Sequence, residues 1–256
     1  MPDAAALLSA FDTQARAAEW EVYPDVVPDG PVFRVAWAHR RGFVAGPPDL
    51  GVTGAELDEV IARQRDFFAE RGQAVEWKTW VHDQPKDLPD RLTAAGFVAE
   101  ATETVLIGLA EEMTSPVHLD GVVLRETKEE ADMHRLAATA TEVFGRDCGW
   151  LADQLIEKKD DPNTVAVIAE ADGQVVSSAR LEIVPGTAFG GLWGGGTLKE
   201  WRGKGIYRAL VAHRARVALE RGVRYLQVDA SEDSRPILER LGFVAVTKTT
   251  GYVWQP

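Results

Sequence analysis

The segment KEWRGKGIYRAL (Lys199–Leu210) sets Arg202, Lys204 and Arg208 around Gly203 and Gly205. An amphipathic stretch follows at once, with Ile206, Ala209, Leu210 and Val217 at helical spacing. A helix start leaves backbone N–H groups without partners and carries partial positive charge. Glycines ahead of it let the backbone approach a ligand closely. Added cationic side chains turn such a start into a cradle for a phosphate group. Read without context, the same residues also fit a solvated basic turn.

Two familiar phosphate motifs do not fit. In the pattern G-x-x-x-x-G-K-[ST] the lysine precedes Ser or Thr, whereas Gly205 follows Lys204. In G-x-G-x-x-G the last glycine falls on Arg208. The whole chain is acidic, with 40 Asp and Glu against 28 Lys and Arg and a net charge of -12. It therefore has no general basic face for nucleic acid. One cationic spot on an acidic background suits a small anionic ligand. Cys148 is the only cysteine, so no internal disulfide can form, which suits a reducing compartment. A small unused thiol is the plain reading of it. No apolar run reaches membrane-spanning length, and the N-terminal stretch lacks a basic leader, so a cytoplasmic protein without membrane partners is expected.

The elements that must position the cradle form an alternating series. Helices are expected at Ala4–Trp20, Thr53–Gly72, Leu88–Ala95, Glu129–Phe144, Ala152–Lys159 and Gly205–Arg221. Thr53 and Glu56 read as a capping box. Strands are expected at Val32–Val44, Val75–Val81, Thr102–Leu109, Val122–Arg125, Thr164–Glu170 and Gln174–Val184, with a hairpin turn at ADGQ and a glycine-rich strand in FGGLWGGGTL. The stretch Ala69–Gly108 also parallels Leu219–Trp254. Each runs through Glu-Arg-Gly, a β-rich run, an acidic turn, a short helix, Gly-Phe-Val-Ala and a last strand. A repeat on this scale implies two structural copies, residues 1–113 and 120–256, joined through AEEMTSPVHLDG. The class is α/β (α+β) with mixed sheets.

Residues Arg202–Tyr207 resemble the acetyl-CoA pyrophosphate loop of the GNAT superfamily of N-acetyltransferases, [RQ]-x-x-G-x-[GA]. Arg202 and Gly205 match, and Tyr207 departs from the usual small residue. GGGTL resembles that family's fourth strand, and ILERLGFVAV its last helix, Gly-Phe turn and closing strand. The resemblance covers about Val122–Pro256. It implies two GNAT-like domains, each a mostly antiparallel twisted sheet flanked by helices. It further implies acetyl-CoA as acyl donor, held by Gly196, Thr197, Leu198, Arg202, Gly203, Lys204, Gly205, Ile206, Tyr207 and Arg208, and an amine acceptor. The first copy reads as degenerate, because Glu56, Asp58 and Glu59 at its helix start would repel a diphosphate.

Direct acetyl transfer of the GNAT type needs an oriented amine, an acceptor for the ammonium proton and a donor for the leaving thiolate. The family's tyrosine in the final helix falls on Leu238, its frequent asparagine on the neighbourhood of Ser231 and Glu232, and its fourth-strand glutamate is missing. Candidates left are Tyr207, Asp229, Ser231 and Ser234. Helix capping is the plainer role for Asp229 and Ser231, and packing under the cofactor for Tyr207. Without a working donor the protein would be a non-catalytic acyl-CoA-binding or sensing module. His213 reads as a core histidine. His39, His82, His118 and His134 have no metal-ligand spacing, so no metal is expected. Trp193 and Trp201 read as buried aromatics or groove walls.

Overall fold

The structure is a computed structural model describing residues 3–18, 25–38 and 40–256, so Trp20 and His39 lie outside the described residues. In chain order, helix α1 (Ala4–Ala10) runs into a π-helical segment, Phe11–Arg16. Strands β1 (Val26–Asp29), β2 (Val32–Val35) and β3 (Gly42–Ala45) follow. Next come α2 (Gly54–Ala69), β4 (Val75–Trp80), α3 (Leu88–Ala94), β5 (Val98–Ala99) and β6 (Glu103–Leu109). After a 3-10 turn at Ala110–Met113 the chain forms β7 (Val123–Thr127), α4 (Glu130–Phe144), α5 (Trp150–Glu157), β8 (Thr164–Ala171), β9 (Gln174–Ile183) and β10 (Phe189–Thr197). A second 3-10 turn at Lys199–Trp201 leads to α6 (Ile206–Glu220), β11 (Tyr225–Ala230), α7 (Arg235–Leu241) and β12 (Val244–Trp254).

The chain divides into two compact units that are not contiguous in sequence. The first holds Met1–Leu106, Asp229–Arg235 and Ala245–Pro256; the second holds Ile107–Val228 and Pro236–Val244. Each is mixed α/β, with mostly antiparallel strands flanked by helices. The strand that closes the chain thus belongs to the first unit. It lies antiparallel to β4, from Thr249 opposite Trp80 to Trp254 opposite Val75. Propensity makes Val244–Trp254 a strand, but pairing is chosen by the side chains it meets.

In the first unit β1, β2 and β3 form an antiparallel run, and β3 then pairs parallel with β4 across the α2 crossover. The sequence suggests one strand over Val32–Val44, but the structure has two, because Phe33, Arg34 and Val35 fold back on Ala45, Val44 and Phe43. Thr53 is the N-cap residue of α2, yet its side chain makes no capping hydrogen bond, so the expected capping box does not form. Leu57, Ile61 and Phe68 of α2, Trp77 of β4 and Phe97 are at most 2% exposed, and Tyr252 and Trp254 pack on this cluster from β12. Each large side chain buried this way contributes about 1.5–3 kcal/mol.

In the second unit β7, β8, β9 and β10 run antiparallel in turn, and β10 pairs parallel with β11 across α6. The ADGQ hairpin closes with Asp172 and Gly173 both at positive φ, 49° and 78°, the twist that a two-residue turn requires. Met133, Leu136, Leu151 and Ile168 form a core between α4, α5 and the sheet, and Cys148 is buried among them. Among the described residues no helix is long and apolar enough to cross a membrane.

Asp132, in the first turn of α4, accepts from Arg125 at 2.6 Å, Thr127 at 2.8 Å and Arg135 at 2.9 Å. The Arg125 hydrogen bond leads in holding its carboxyl at about 2, well below the ordinary aspartate value of 3.8. A depressed carboxylate contributes stability above its unfolded value and loses it as pH falls through the folded one. Asp132→Asn should therefore destabilise the protein by about 1 kcal/mol at pH 7, allowing for the part-exposed arginines. Melting curves of the two proteins should converge between pH 3.8 and about 2.

Candidate active site

The glycine-rich β10 is paired unequally along its two edges. Its parallel ladder with β11 runs from Phe189 opposite Tyr225 to Gly191 opposite Gln227. Along β9 it continues to Thr197 opposite Ser177, with a shift of register between Trp193 and Gly196. The bulge re-aims the strand after Gly191. Its far end is held by Leu198 N donating to Val176 O at 2.9 Å and by Ser177 Oγ donating to Gly196 O at 2.6 Å.

Glycine is required here by close approach. A Cβ on Gly195 would lie 3.0 Å from Tyr207 Cε2 and 3.5 Å from Arg214 Nη2. On Gly196 it would lie 2.6 Å from Val143 Cγ1, so α4 and α6 press on successive residues of β10 from opposite faces.

Beyond β10 the chain turns into α6. Arg202 is extended and donates from Nε to Thr197 O at 3.1 Å, which ties the loop to the strand end. Gly203 and Gly205 have φ of +78° and +83°, and Gly205 is the N-cap residue. No side chain caps this helix and no acid stands in its first turn. Its first N–H groups are therefore available, with the positive end of the helix behind them. Arg202, Lys204 and Arg208 are exposed around this start, and the Lys204 ammonium stands 4.2 Å from the centre of the Trp201 ring. Ile206 anchors the turn from below in an apolar cluster with Ala169, Ala171 and Val176, and Trp201 packs against it. A Cβ on Gly203 would meet no atom within 4 Å. Open space, left-handed backbone, uncapped donors and three cations fit a diphosphate.

The second unit thus brings together Gly196, Thr197, Leu198 and all of Arg202–Arg208. Of the four candidate catalytic residues, Tyr207 belongs to this unit and Asp229, Ser231 and Ser234 to the first. There the Asp229 carboxylate, 3% exposed, is ion-paired with Lys78 of β4. At the start of α7 the Ser231 carbonyl accepts from Ser234 N at 3.1 Å and Arg235 N at 2.9 Å, and the Ser231 and Ser234 hydroxyls share a hydrogen bond at 3.4 Å. His213 is not a core histidine: it is about a quarter exposed and pairs with Glu126 at 3.1 Å. Leu238 is fully buried. Trp193 and Trp201 are half-buried. Among the described residues no cluster of His, Cys, Asp or Glu could hold a metal ion.

Two arginines carry weight that the sequence reading did not assign. Arg214 is 1% exposed and donates only to carbonyls, from Nε to Leu210 O and from Nη1 to Arg180 O. Burial pushes its guanidinium down to about 10. The available signal was an arginine inside the apolar stripe of Leu210, Val211, Ala215 and Val217.

Arg16 does the corresponding service in the first unit. There the parallel ladder of β3 and β4 ends at Val44 opposite Trp77. The buried Arg16 guanidinium donates to Gly46 O at 3.0 Å and to Asp83 Oδ1 at 2.8 Å, and it lies 3.8 Å over the Trp80 ring. Past it the strands rejoin, with Gln84 N donating to Pro48 O and Leu50 N to Gln84 O. Among the described residues, the ends of β3 and β4 are thus bridged beyond their ladder.

The model of the Acetyltransferase (GNAT) family matches residues 130–243. No curated protein of similar sequence was found. Among solved structures, a GCN5-related N-acetyltransferase from Kribbella flavida is similar with a TM-score of 0.71 and 18% identity, over 95% of each chain. A GCN5-related N-acetyltransferase from Sphaerobacter thermophilus is similar at 0.64 and 17%, over 99% of this chain and 94% of that one. A tandem GNAT protein from the clavulanic acid biosynthesis pathway is similar at 0.60 and 12%, over 91% and 84%. At these identities the likeness shows the fold. The family model covers the stretch that holds β10, the Arg202–Arg208 loop and α6.

Removal of Arg16 should show that it holds its site. Arg16→Met leaves the Asp83 carboxylate buried without its partner and should cost about 3–5 kcal/mol in urea unfolding. Arg16→Met with Asp83→Asn should recover part of that loss.

Proposed function

We propose that the protein transfers an acetyl group from acetyl-CoA directly to an amine of a small molecule or peptide, using one cofactor site per chain. The observation that carries this reading is the start of α6. Gly203 and Gly205 hold the backbone in a left-handed turn, no acid or cap blocks the helix end, and β10 has parted from β11 beside it.

When bound, acetyl-CoA supplies an activated acyl carbonyl and a thiol leaving group. The backbone of Gly203–Arg208 would hold its diphosphate, with Arg202, Lys204 and Arg208 balancing the charge. Gly196, Thr197 and Leu198 would hold its arm with backbone groups. Tyr207 turns its ring toward Gly195, and its hydroxyl would move the proton. Asp229 is committed to Lys78, which removes the simplest case for it as a free base.

The first unit is, in this reading, a second copy of the fold that does not bind the cofactor. The sequence repeat supports it, as does the shared order of antiparallel strands, helix crossover and parallel partner. Arg16 and the Gln84–Pro48 hydrogen bond occupy the place where its strands would part, and Glu56 stands at its helix start. A reducing, cytoplasmic setting suits the single buried thiol.

Acetyl-CoA at 100 times its dissociation constant should raise stability by about 2.7 kcal/mol. Gly205→Glu, whose unliganded melt provides the baseline, should abolish that gain by adding a repelling charge at a position already strained for any side chain. Titration calorimetry should give one site per chain; two equivalent sites would refute the assignment of the first unit. An amine panel read by CoA release tests the chemistry. Tight acetyl-CoA binding with no release above hydrolysis would make the protein a non-catalytic acyl-CoA sensor.

A further inference from the structure

Tyr207 stands where the resemblance leads one to expect glycine or alanine, and it has an unusual neighbour. Tyr207 and Arg214 are two turns apart on the same face of α6. Cε2 of the ring, bonded to the carbon that carries the hydroxyl, is 3.0 Å from the point where a Gly195 Cβ would sit, and Arg214 Nη2 is 3.5 Å from that same point. The absent side chain of Gly195 is thus what lets ring and guanidinium converge behind the bulge of β10.

The charge at this spot is uncompensated. Among the described residues no carboxylate pairs with Arg214, whose hydrogen bonds all go to carbonyl oxygens. The neighbouring charge on β9, Arg180, is of like sign, and its partner Glu182 is taken up by Arg180 at 2.6 Å and Lys158 at 3.9 Å. On β8, Glu170 is held by Arg125 and Arg135. β10 carries no titratable residue, and Glu111 and Glu112 of the first 3-10 turn are exposed. On α6 itself Arg208 and Arg216 are exposed, and His213 faces Glu126. A buried cation with no anion is costly, and a group that can become an anion beside it relieves that cost.

We infer that Arg214 is a positioning residue that makes Tyr207 an unusually strong acid, so that this tyrosine takes the proton-donor role left empty by Leu238. The O–H bond breaks, its electron pair stays on Oη in the field of the guanidinium, and the proton would pass to the sulfur of the thiolate that the acyl donor releases. Solvent returns a proton to Oη as the cycle closes. The inference rests on the transferase reading for its purpose, but its physical content concerns the free protein.

The test is ultraviolet titration of tyrosinate in the protein without any acyl donor. The chain has four tyrosines, Tyr23, Tyr207, Tyr225 and Tyr252. Burial and Asp90 push Tyr252 up, away from the signal sought. A step below the ordinary tyrosine range should vanish in Tyr207→Phe. In Arg214→Met it should move up by about one pH unit or more, and Arg214→Lys should restore part of the shift. An unmoved Tyr207 step in Arg214→Met overturns the inference. If that variant does not melt cooperatively, Gly195→Ala serves, since its methyl displaces the ring from the guanidinium; a Tyr207 step unmoved there overturns it equally. Failure of every amine to release CoA would sink the transferase reading while leaving the titration result as it stands.

Discussion

The left-handed backbone at Gly205 is the constraint on which the second unit's chemistry depends. At a φ of +83° the chain enters α6 without a side-chain cap, so the first donors of the helix are left without side-chain partners at its positive end. A serine or aspartate cap would have satisfied those donors and stabilised the helix by about 1 kcal/mol. The protein forgoes that stabilisation where an anion can replace it. Ile206 is buried beneath the turn, so the helix stays anchored while its end remains uncapped.

The strand ahead of the helix follows the same logic. β10 is firmly paired with β9 to its end, whereas its ladder with β11 stops at Gly191. Glycines at 194, 195 and 196 leave room for Arg180, for Tyr207 with Arg214, and for Val143, so helices on both faces approach the backbone itself. A loose edge on a tightly held strand leaves backbone groups available without making the element mobile.

The first unit has the same series of antiparallel strands, crossover helix and parallel partner, with the opposite outcome at its strand ends. Arg16 fills the interval with a cation that meets Gly46, Asp83 and the face of Trp80. Both side chains of the Arg16–Asp83 pair are nearly buried, so the pair fastens the segment only while both charges are present. An uncapped, donor-rich helix start in one unit and a plugged strand end in the other thus each come down to a few side chains, consistent with function residing in sites placed on a fold.

What the sequence determined is what local chemistry specifies. The helix of α6, the loop of Arg202–Arg208, the ADGQ turn, most strands and the charge contrast between the helix starts at Glu56 and at Arg202 are all readable from residue type and spacing, because periodicity, φ preference and charge act within a few residues. What only the tertiary structure decided concerns partners distant in the chain. Asp229 pairs with Lys78, 151 residues away. Arg16, Asp83 and Gly46 come together from three segments, and Tyr207 and Arg214 both approach the place where a Gly195 side chain would stand. The closing strand, legible as a strand, takes its place beside β4 in the first unit. Strand propensity is a property of a residue and its neighbours, whereas the choice of partner is settled by burial against side chains that sequence order does not bring together.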